Sequence, residues 1–524
     1  MMPRVLFVTS EAVPLAKTGG LADVITALAA TLRTQGIDVT ILMPGYPSAL
    51  DGAKNLTVIG SFDDFPGGSG RLRAGVIPDI NVPVILLDTE RFRACTGNLY
   101  VDQDGREFAD NAVNFASLAY AAIKICAGRT TAEKPHVVHA HDWHAGLIPA
   151  LLRTHNISDI GTILTVHNLA FQGNFPLASA AALGLPQEML NADGAEFWGQ
   201  VSFLKAGVRY ADKITTVSHA YAREILTPRF GHGFEGLLNQ RKEAISAIPN
   251  GIDIDMWNSA TDPLIARRFS SNDMKGKIVC KRELKRLFNL TPINEFAPVL
   301  ALGSRITHQK MADVALAALP TILQNQPYLQ LAVLGCGEPV YHAGFRQLME
   351  RFPGRVGLHL GYDEKHAHAL HAGADMLLHG SRFEPFGLTP LYAMRYGTIP
   401  IASRVGGLSD TITDAGTVDN IAANANGVLF DGEEPQDMID AVDRAFQIYS
   451  HTAAWHKLQM NAMSVECGWD TSAQQYIALY GQVAAADTKH LFLDEIAPRR
   501  EREPLQQFSR GQAKRQVIGT RKSG

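Results

Sequence analysis

Residues 5–23, VLFVTSEAVPLAKTGGLAD, contain the pattern that decides the fold. An apolar run, Val5–Thr9, has the length of a buried strand. Gly19 and Gly20 then open a helical pattern over Leu21–Thr34. A continuously apolar strand followed by an amphipathic helix is typical of a parallel sheet that is covered on both faces. The sequence therefore predicts an α/β fold that begins with its first strand.

The same alternation continues along the first half of the chain. Helical patterns over Ala112–Ala127 and Phe197–Ala211 separate several apolar runs. The further predicted strands are Val39–Met43, Val84–Leu87, His136–Ala140, Ile163–Val166 and Ile214–Val217. This order predicts a doubly wound parallel sheet.

A polar, turn-rich stretch at residues 245–275 interrupts the pattern, and a second alternation follows it. Its predicted strands are Val299–Leu302, Leu331–Gly335, Val356–Leu360, Met376–His379 and Ile399–Ala402. We therefore predict two doubly wound domains, residues 1–255 and 256–465, that face each other across a cleft. A helix within residues 466–485 is expected to pack back on the first domain. The basic residues 486–524 are expected to form a disordered tail.

Composition narrows the class of protein. The chain has 524 residues, with 48 Lys and Arg against 52 Asp and Glu, and a net charge of −4. A nucleic-acid-binding protein usually carries a basic excess, so that class is disfavoured. No apolar run is long enough for a membrane span, and no secretory signal opens the chain, so we expect a cytoplasmic protein. The five cysteines form no C-x-x-C pair, which indicates neither a disulfide framework nor a zinc knuckle.

Lys17 and Asp23 flank the pair Gly19-Gly20 at the predicted start of the first helix. Two glycines let a backbone approach a ligand closely, and free N–H groups at a helix start favour an anion. Lys17 adds a cation beside them. Because the pattern matches neither G-x-G-x-x-G nor a P-loop, a plain tight turn is the alternative interpretation.

Arg305 and Lys310 follow the first predicted strand of the second domain. An Arg fork and a compact Lys charge at one strand end can together hold a diphosphate. The alternative is a pair of solvated surface charges.

Glu384 lies on the loop after another apolar strand. Gly387, Leu388 and Thr389 then open a helix, whose first amides can receive phosphate. A carboxylate beside a phosphate is costly unless it binds something, because like charges repel. Glu384 is therefore a candidate for binding sugar hydroxyls. Residues 405–408, VGGL, are interpreted as a weaker copy of the same device.

Residues 139–144, HAHDWH, place three histidines and an acid after a further strand, and His167 ends the next one. Such density resembles the H-x-H-x-D-H motif of metallo-hydrolases, although the acid here stands one position early. A metallo-hydrolase is therefore a rival hypothesis. The other hypothesis takes all these groups together. Helix-start amides, cations, one carboxylate and several histidines favour an enzyme that transfers a group away from a diphosphate.

Longer motifs carry a resemblance to a known family. In the first half the motifs are KTGGLADV, VVHAHDWHAGL, TVHNLAFQG and VSFLKAGVRYAD. In the second half they are SRITHQK, LGCGEP, SRFEPFGLTPLYAMRYGTIP and GGLSDT. Together they resemble the bacterial glycogen synthases and plant starch synthases, with order and spacing kept from about residue 3 to about residue 480.

The resemblance implies the GT-B fold, in which two Rossmann-like domains enclose a deep cleft. It also implies transfer of glucose from ADP-glucose to the 4-hydroxyl at the non-reducing end of an α-1,4-glucan such as glycogen. The anomeric configuration is retained, and neither a cofactor nor a metal ion is implied.

Roles for individual residues follow from the same resemblance. Arg305 and Lys310 would neutralise the diphosphate, and Glu384 would hold glucose hydroxyls. The full implied set consists of the catalytic residues Arg305, Lys310, Glu384 and His167, the donor-binding residues Lys17, Gly19, Gly20, Asp23, Asn250, Gly387, Leu388 and Thr389, and Tyr100, Asp142 and Trp143 on the sugar and acceptor side.

Four positions depart from the family pattern. Phe386 stands where the family commonly has Cys, Met311 where it has Gly, Val405 where it has Thr, and Pro390 where it has Gln. The first two keep open a transferase that uses UDP-glucose or a short, maltose-forming acceptor. A glucan-binding scaffold without catalysis is disfavoured, because the charged residues of the implied site are intact.

Overall fold

The computed structural model describes residues 2–102, 106–291, 293–294, 297–361, 363–418, 420–485 and 488. The tail predicted over residues 486–524 lies outside the described residues, apart from Thr488. Within these ranges, no helix combines the length and the apolar character that a membrane crossing demands.

The first half of the chain folds around a nine-stranded sheet with the order β12-β11-β7-β6-β1-β2-β5-β4-β3. Its strands from β12 to β5 run parallel, and β3 and β4 complete the sheet as an antiparallel hairpin. The strands are β1 (Arg4–Val8), β2 (Asp38–Pro44), β3 (Lys54–Phe65), β4 (Gly68–Ile77), β5 (Val82–Asp88), β6 (Val137–His141), β7 (Gly161–Val166), β11 (Lys213–Thr216) and β12 (Ile245–Ala247), with β8 (Asn174–Pro176), β9 (Glu196–Phe197) and β10 (Gln200–Ser202) in a small separate sheet.

Helices cover the first sheet. They are α1 (Gly20–Thr34), α2 (Pro47–Gly52), α3 (Glu90–Ala94), α4 (Asn111–Cys126), α5 (Ile148–Thr154), α6 (Phe203–Tyr210), α7 (His219–Glu224) and α8 (Glu235–Gln240). The prediction of one helix over Phe197–Ala211 is wrong in its first part. There Trp198 and Gly199 form the turn between β9 and β10, and the helix begins only at Phe203.

The second half contains a six-stranded parallel sheet with the order β15-β14-β13-β16-β17-β20. Its strands are β13 (Val299–Gly303), β14 (Gln330–Gly335), β15 (Val356–Leu360), β16 (Met376–His379), β17 (Ile399–Ser403) and β20 (Val428–Phe430), while β18 (Gly416–Thr417) and β19 (Asn420–Ile421) pair apart from it. Its helices are α9 (Lys275–Leu287), α10 (Ala312–Asn325), α11 (Pro339–Arg351), α12 (Glu364–Gly373), α13 (Leu388–Arg395), α14 (Gly406–Thr411), α15 (Pro435–Tyr449) and α16 (Thr452–Met463). The prediction of two doubly wound parallel sheets is confirmed.

The topology places a crevice in each half. In the first sheet β1 lies between β2 and β6, and in the second β13 lies between β14 and β16. The chain leaves each central strand in opposite directions on its two sides, which opens a crevice outside the carboxyl ends. The predicted site residues follow these ends.

The chain passes between the halves twice, and the two crossings touch. The Ile252 amide donates to the Cys467 carbonyl across 2.8 Å. A β-carbon on Gly251 would lie 2.8 Å from the backbone of Gly468, so glycine permits this approach. The last helix, α17 (Asp470–Val483), then packs into the apolar core of the first half through residues such as Tyr480.

Candidate active site

The two halves meet at the carboxyl edges of their sheets. The Ser218 hydroxyl, just past β11, donates to the Pro385 carbonyl across 2.7 Å. The Gly406 amide of the second half donates to Glu224 Oε1 of the first half across 2.8 Å. These hydrogen bonds hold the loops after β16 and β17 against the first half, so that both edges border one cleft.

Two helices begin at opposite sides of this cleft, α1 at Gly20 and α13 at Leu388. A β-carbon on Gly20 would lie 2.8 Å from Leu388 Cδ1, whereas one on Gly19 would meet nothing within 4 Å. Gly387 precedes α13 with a φ of +93°, and Thr389 lies in its first turn. Two helix N-termini therefore approach each other beside open space, and their positive dipole ends favour an anion there.

Lys17 and Asp23 form an ion pair beside the glycine turn, with 2.8 Å between Nζ and Oδ1. Burial raises the pKa of Asp23, and the Lys17 charge opposes this rise. Both side chains stay partly exposed, so a bound anion can compete with Asp23 for the Lys17 ammonium.

Glu11 is a site residue that the sequence analysis did not predict. It is 3% exposed, and its carboxylate accepts hydrogen bonds from the Thr18 amide at 2.5 Å, the Thr18 hydroxyl at 2.8 Å and the Gly19 amide at 3.3 Å. Burial raises its pKa, and these hydrogen bonds oppose the rise. Glu11 thus fixes the loop that carries Lys17. Its signal in the sequence is a single carboxylate shortly after β1, followed by the apolar residues 12–16.

Tyr100 is joined to the same loop. Its hydroxyl lies 2.7 Å from Glu11 Oε1 and 2.7 Å from Ser10 Oγ. Its ring lies against the His144 imidazole, with 4.9 Å between ring centroids. The residue expected on the acceptor side is therefore connected through Glu11 to the turn expected on the donor side.

The histidines of β6 and the one that follows β7 are held by protein groups. His141 Nδ1 lies 3.1 Å from His167 Nε2, and His139 lies between the hydroxyls of Thr165 and Tyr480 at 2.5 and 2.9 Å. Burial lowers the pKa of His167 to about 3. Within the part of the chain that the structure describes, no three metal-ligating side chains converge. The geometry therefore does not favour the metallo-hydrolase hypothesis.

Asp142 positions the loop that carries His167. Asp142 has a φ of +57°, and its Oδ1 accepts the His167 amide at 2.7 Å and the Asn168 amide at 3.3 Å. Burial raises its pKa to about 7, against the effect of these hydrogen bonds. Trp143, predicted on the acceptor side, is only 8% exposed, and a β-carbon on Gly173 would lie 2.3 Å from its ring. Trp143 therefore supports the cleft wall from behind.

The second half contributes a buried charge pair. The Lys310 ammonium pairs with Glu384 Oε2, which also accepts from the Ser381 hydroxyl at 2.8 Å and lies 3.1 Å from His379 Nε2. Burial alone would raise the pKa of Glu384, but the Lys310 charge and these hydrogen bonds hold it well below its usual range. Burial lowers the pKa of Lys310, against the pull of Glu384. The two charges predicted for different parts of a ligand thus face each other.

Arg305 lies on the same loop as Lys310 but is exposed. Its Nη2 donates to Gln309 Oε1 across 3.1 Å, and Gln309 Nε2 donates to the Phe383 carbonyl across 3.1 Å. Gln309 therefore ties the loop after β13 to the loop after β16. Arg305 can turn towards a ligand, while Lys310 is fixed.

The second glycine pair, Gly406 and Gly407, packs against the backbone of the loop that carries Glu384. A β-carbon on Gly406 would lie 1.9 Å from the Glu384 carbonyl oxygen, and one on Gly407 would lie 2.3 Å from the Phe386 carbonyl oxygen. The Gly407 amide donates to the same Glu384 oxygen across 3.0 Å. This turn, predicted to be a weaker copy of the helix start at Gly387, is therefore closed by protein.

The departures from the family pattern have local structural settings. Met311, at the position where glycine is common, has a φ of +53° and is fully buried. Phe386 is 5% exposed and packs in the second core.

Asn250, implied to bind the donor, lies at the crossing between the halves. Its Oδ1 atom is buried without a partner among the described residues, and its backbone amide donates to the Val217 carbonyl across 3.3 Å.

Comparisons with known proteins agree with this geometry. The family model described as the starch synthase catalytic domain matches residues 4–240, and that of glycosyl transferases group 1 matches residues 286–458. The glycogen synthase of Ralstonia nicotianae is 50% identical over 93% of this chain and 90% of its own. That of Roseobacter denitrificans is 41% identical over 92% of this chain and 99% of its own.

Solved structures give the same result. The catalytic domain of starch synthase IV from Arabidopsis thaliana, bound to ADP and acarbose, superposes with a TM-score of 0.83 at 29% identity, covering 92% of this chain and 99% of its own. A sucrose-phosphate synthase from Thermosynechococcus elongatus, at 17% identity and a TM-score of 0.56, covers 92% of this chain and 98% of its own and shares the fold. The GT-B fold implied by the resemblance is confirmed, and the chain belongs to the family of glycogen and starch synthases.

Proposed function

We propose that the protein transfers glucose from ADP-glucose to the 4-hydroxyl at the non-reducing end of an α-1,4-glucan such as glycogen, with retention of configuration and release of ADP. The observation that carries the proposal is the meeting of two helix N-termini, at Gly20 and Leu388, in a cleft that also holds Lys310 and Arg305. The starch synthase that superposes on this chain was solved with ADP and acarbose.

The cations and helix ends would stabilise the leaving group. When the bond between C1 of glucose and the phosphate breaks, positive charge grows on the sugar and negative charge on ADP. Arg305 and Lys310 would bind the diphosphate, together with amides at Leu388 and Thr389 and the Lys17 side of the first turn. Charges that are already in place are the largest catalytic contribution in such a reaction. We propose that no metal ion and no cofactor is needed, because these groups supply the positive charge.

Glu384 would bind glucose hydroxyls on the other side of the donor. Its carboxylate stays ionised, since its pKa is held low, and an ionised carboxylate accepts hydrogen bonds from hydroxyls. His167 is neutral near pH 7, because its pKa is low, and it would therefore not act as an acid. Its neutral imidazole would instead bind the sugar. The acceptor's 4-oxygen would bond to C1 as the C1–phosphate bond breaks, and its proton would pass to the leaving phosphate.

The deciding experiment measures incorporation of labelled glucose into glycogen from ADP-glucose or UDP-glucose, with and without EDTA. We expect incorporation from ADP-glucose. Incorporation from neither donor contradicts the proposal, and incorporation from UDP-glucose alone would replace the donor. Loss of activity in EDTA alone would contradict the proposal that no metal ion takes part.

A paired substitution tests the leaving-group role. Lys310→Met should lower turnover by about 100-fold or more, while glycogen binding changes little. Lys242→Met, at an exposed lysine before β12, is the matched control and should leave turnover unchanged. Equal losses of turnover and glycogen binding in Lys310→Met would contradict a role at the leaving group.

A further inference from the structure

Trp198 differs from every other tryptophan of the chain in its exposure. Its side chain is 83% exposed. Trp143, Trp257, Trp455 and Trp469 are between 4 and 8% exposed. A single exposed apolar side chain is ordinary in a folded protein, so the exposure of Trp198 becomes informative only together with its backbone conformation and its place in the fold.

The backbone at Trp198 is strained. Trp198 and Gly199 form a two-residue turn between the antiparallel strands β9 and β10, and their φ angles are +51° and +78°. Such turns prefer Asn-Gly or Gly-Gly, because a left-handed conformation costs other residues about 1–2 kcal/mol. Since the exposed indole recovers little of this cost by packing, the strain points to a function of the side chain.

The base of this hairpin is rigid. The Phe197 ring lies against the Phe234 ring, with 4.6 Å between centroids. The Gly199 amide donates to Glu196 Oε1 across 2.7 Å. The Lys205 ammonium donates to the Glu196 carbonyl and to the Ala192 carbonyl. The indole is therefore presented from a fixed support.

Trp198 stands on the rim of the cleft. Its Nε1 lies 3.6 Å from where a β-carbon on Gly233 would be. The neighbouring His232 ring lies 5.4 Å from the ring of Phe383, the residue before Glu384. The His232 carbonyl also accepts a hydrogen bond from Gln172 Nε2, on the loop after β7, at 3.0 Å. A short series of contacts thus leads from the indole to the reaction centre.

We propose that Trp198 is a stacking platform for an α-1,4-glucan chain beyond the reaction centre, and that it determines the preference for long acceptors. Glucose rings present flat C–H faces that suit an indole. The groups that connect Trp198 to the site are uncharged or aromatic, as a neutral polymer requires; burial lowers the pKa of His232, which stays neutral. This inference rests on the proposed function for its choice of ligand.

Binding can be tested without catalysis. Because Trp198 is the single exposed tryptophan, its fluorescence is accessible to acrylamide while the others are shielded. Maltoheptaose should protect this fluorescence from quenching in the wild type. The protection should disappear in Trp198→Phe, in which the shielded tryptophans remain. Equal protection in both proteins, or none in the wild type, would overturn the proposal.

Kinetics then test the role in acceptor choice. Trp198→Ala should raise KM for glycogen about tenfold, which corresponds to about 1.4 kcal/mol. It should leave KM for ADP-glucose and the rate with maltose unchanged, and Trp198→Phe should recover most of the loss. Tyr328→Ala, at a 65% exposed aromatic residue before β14, is the matched control and should have no effect. If maltose and glycogen are affected equally, the proposal fails. If the wild type transfers glucose to no glucan, the proposed function fails instead, and the fluorescence result still decides the platform.

Stability separates this role from a structural one. Trp198→Asn places a residue that tolerates the left-handed turn, so the unfolding midpoint should rise or stay constant while maltoheptaose protection is lost. A lower midpoint would indicate a structural role and contradict the proposal. A dimer in the wild type that dissociates in this variant would assign the indole to self-association and overturn it.

Discussion

The molecule contains nearly the same short sequence twice, GGLAD at residues 19–23 and GGLSD at residues 406–410. Both begin a helix after a parallel strand. A β-carbon on Gly19 would meet no atom within 4 Å, whereas one on Gly406 would lie 1.9 Å from the Glu384 carbonyl oxygen. The first turn can therefore admit a ligand, and the second is occupied by the protein itself.

Each turn also donates an amide to a carboxylate. Glu11 is buried in the same half as its turn, whereas Glu224 is half-buried and belongs to the opposite half. The Gly19 amide donates to Glu11 Oε2 of its own half at 3.3 Å. The Gly406 amide donates to Glu224 Oε1 of the opposite half at 2.8 Å. Separation of the halves would break the second contact and leave the first intact. A repeated motif thus leaves open space beside the turn in one half and attaches the two halves to each other in the other.

The largest expected effect is that of Gly406→Ala. Its φ of +44° and the 1.9 Å approach to Glu384 require a backbone shift. We expect a loss of about 3 kcal/mol or more in the free energy of unfolding, with a loss of transfer activity, because Glu384 is displaced. Denaturant unfolding measures the loss.

Gly19→Ala is the control for this comparison. It meets no atom within 4 Å, so stability should change by less than about 1 kcal/mol while KM for ADP-glucose rises. Equal destabilisation by the two substitutions would show that the turns are equivalent.

The second effect concerns the approach of the two helix starts. Gly20→Ala places a β-carbon 2.8 Å from Leu388 Cδ1 and should lower kcat/KM about 30-fold, or about 2 kcal/mol. Adding Leu388→Ala removes the clash, and the double variant should recover part of this loss. Purely additive losses would mean that the halves do not approach in this way during the reaction.

A smaller effect should distinguish the carboxylate between the halves. Burial raises the pKa of Glu224 above its ordinary value of 4.5. The folded protein therefore holds the Glu224 proton more tightly than the unfolded chain does, so this group lowers stability as pH rises through the two pKa values. Glu224→Gln keeps an acceptor for the Gly406 amide but does not ionise. Its unfolding free energy relative to the wild type should increase from about pH 4 to about pH 8, and a constant difference would contradict the assignment.

The smallest effect on stability is expected from exchanging the residues that precede the two glycine pairs, Thr18 in the first turn and Val405 in the second. Val405→Thr adds a capping hydroxyl at the start of α14 and should stabilise the protein by about 1 kcal/mol at most, without a change in transfer rate. The reverse exchange, Thr18→Val, removes the 2.8 Å hydrogen bond to Glu11 and should lower both stability and donor affinity. Calorimetry and donor KM check the pair.

The fold could be predicted because continuous apolar strands such as the one at residues 5–8 are buried on both faces and leave a strong signal. The hairpin of β3 and β4 left none, since β3 is largely exposed and reads as polar. The charges of the site were found by their place after strands, but their pairing was not. Neither Glu11 nor Glu224 could be assigned from sequence, because each acts on backbone amides that only the folded chain brings to it.

Because α17 packs into the first half, the second half can finish folding before the first half during synthesis on the ribosome. Tyr480 contacts His139 across 341 residues of sequence. The core of the first half therefore cannot be completed until the chain has been synthesised as far as α17. At a synthesis rate of about 5–20 residues per second, this delay is on the order of tens of seconds. The later core draws nearly all its residues from the intervening segment and can close first. Nascent chains should therefore expose the apolar surface of the half synthesised first until α17 has been made.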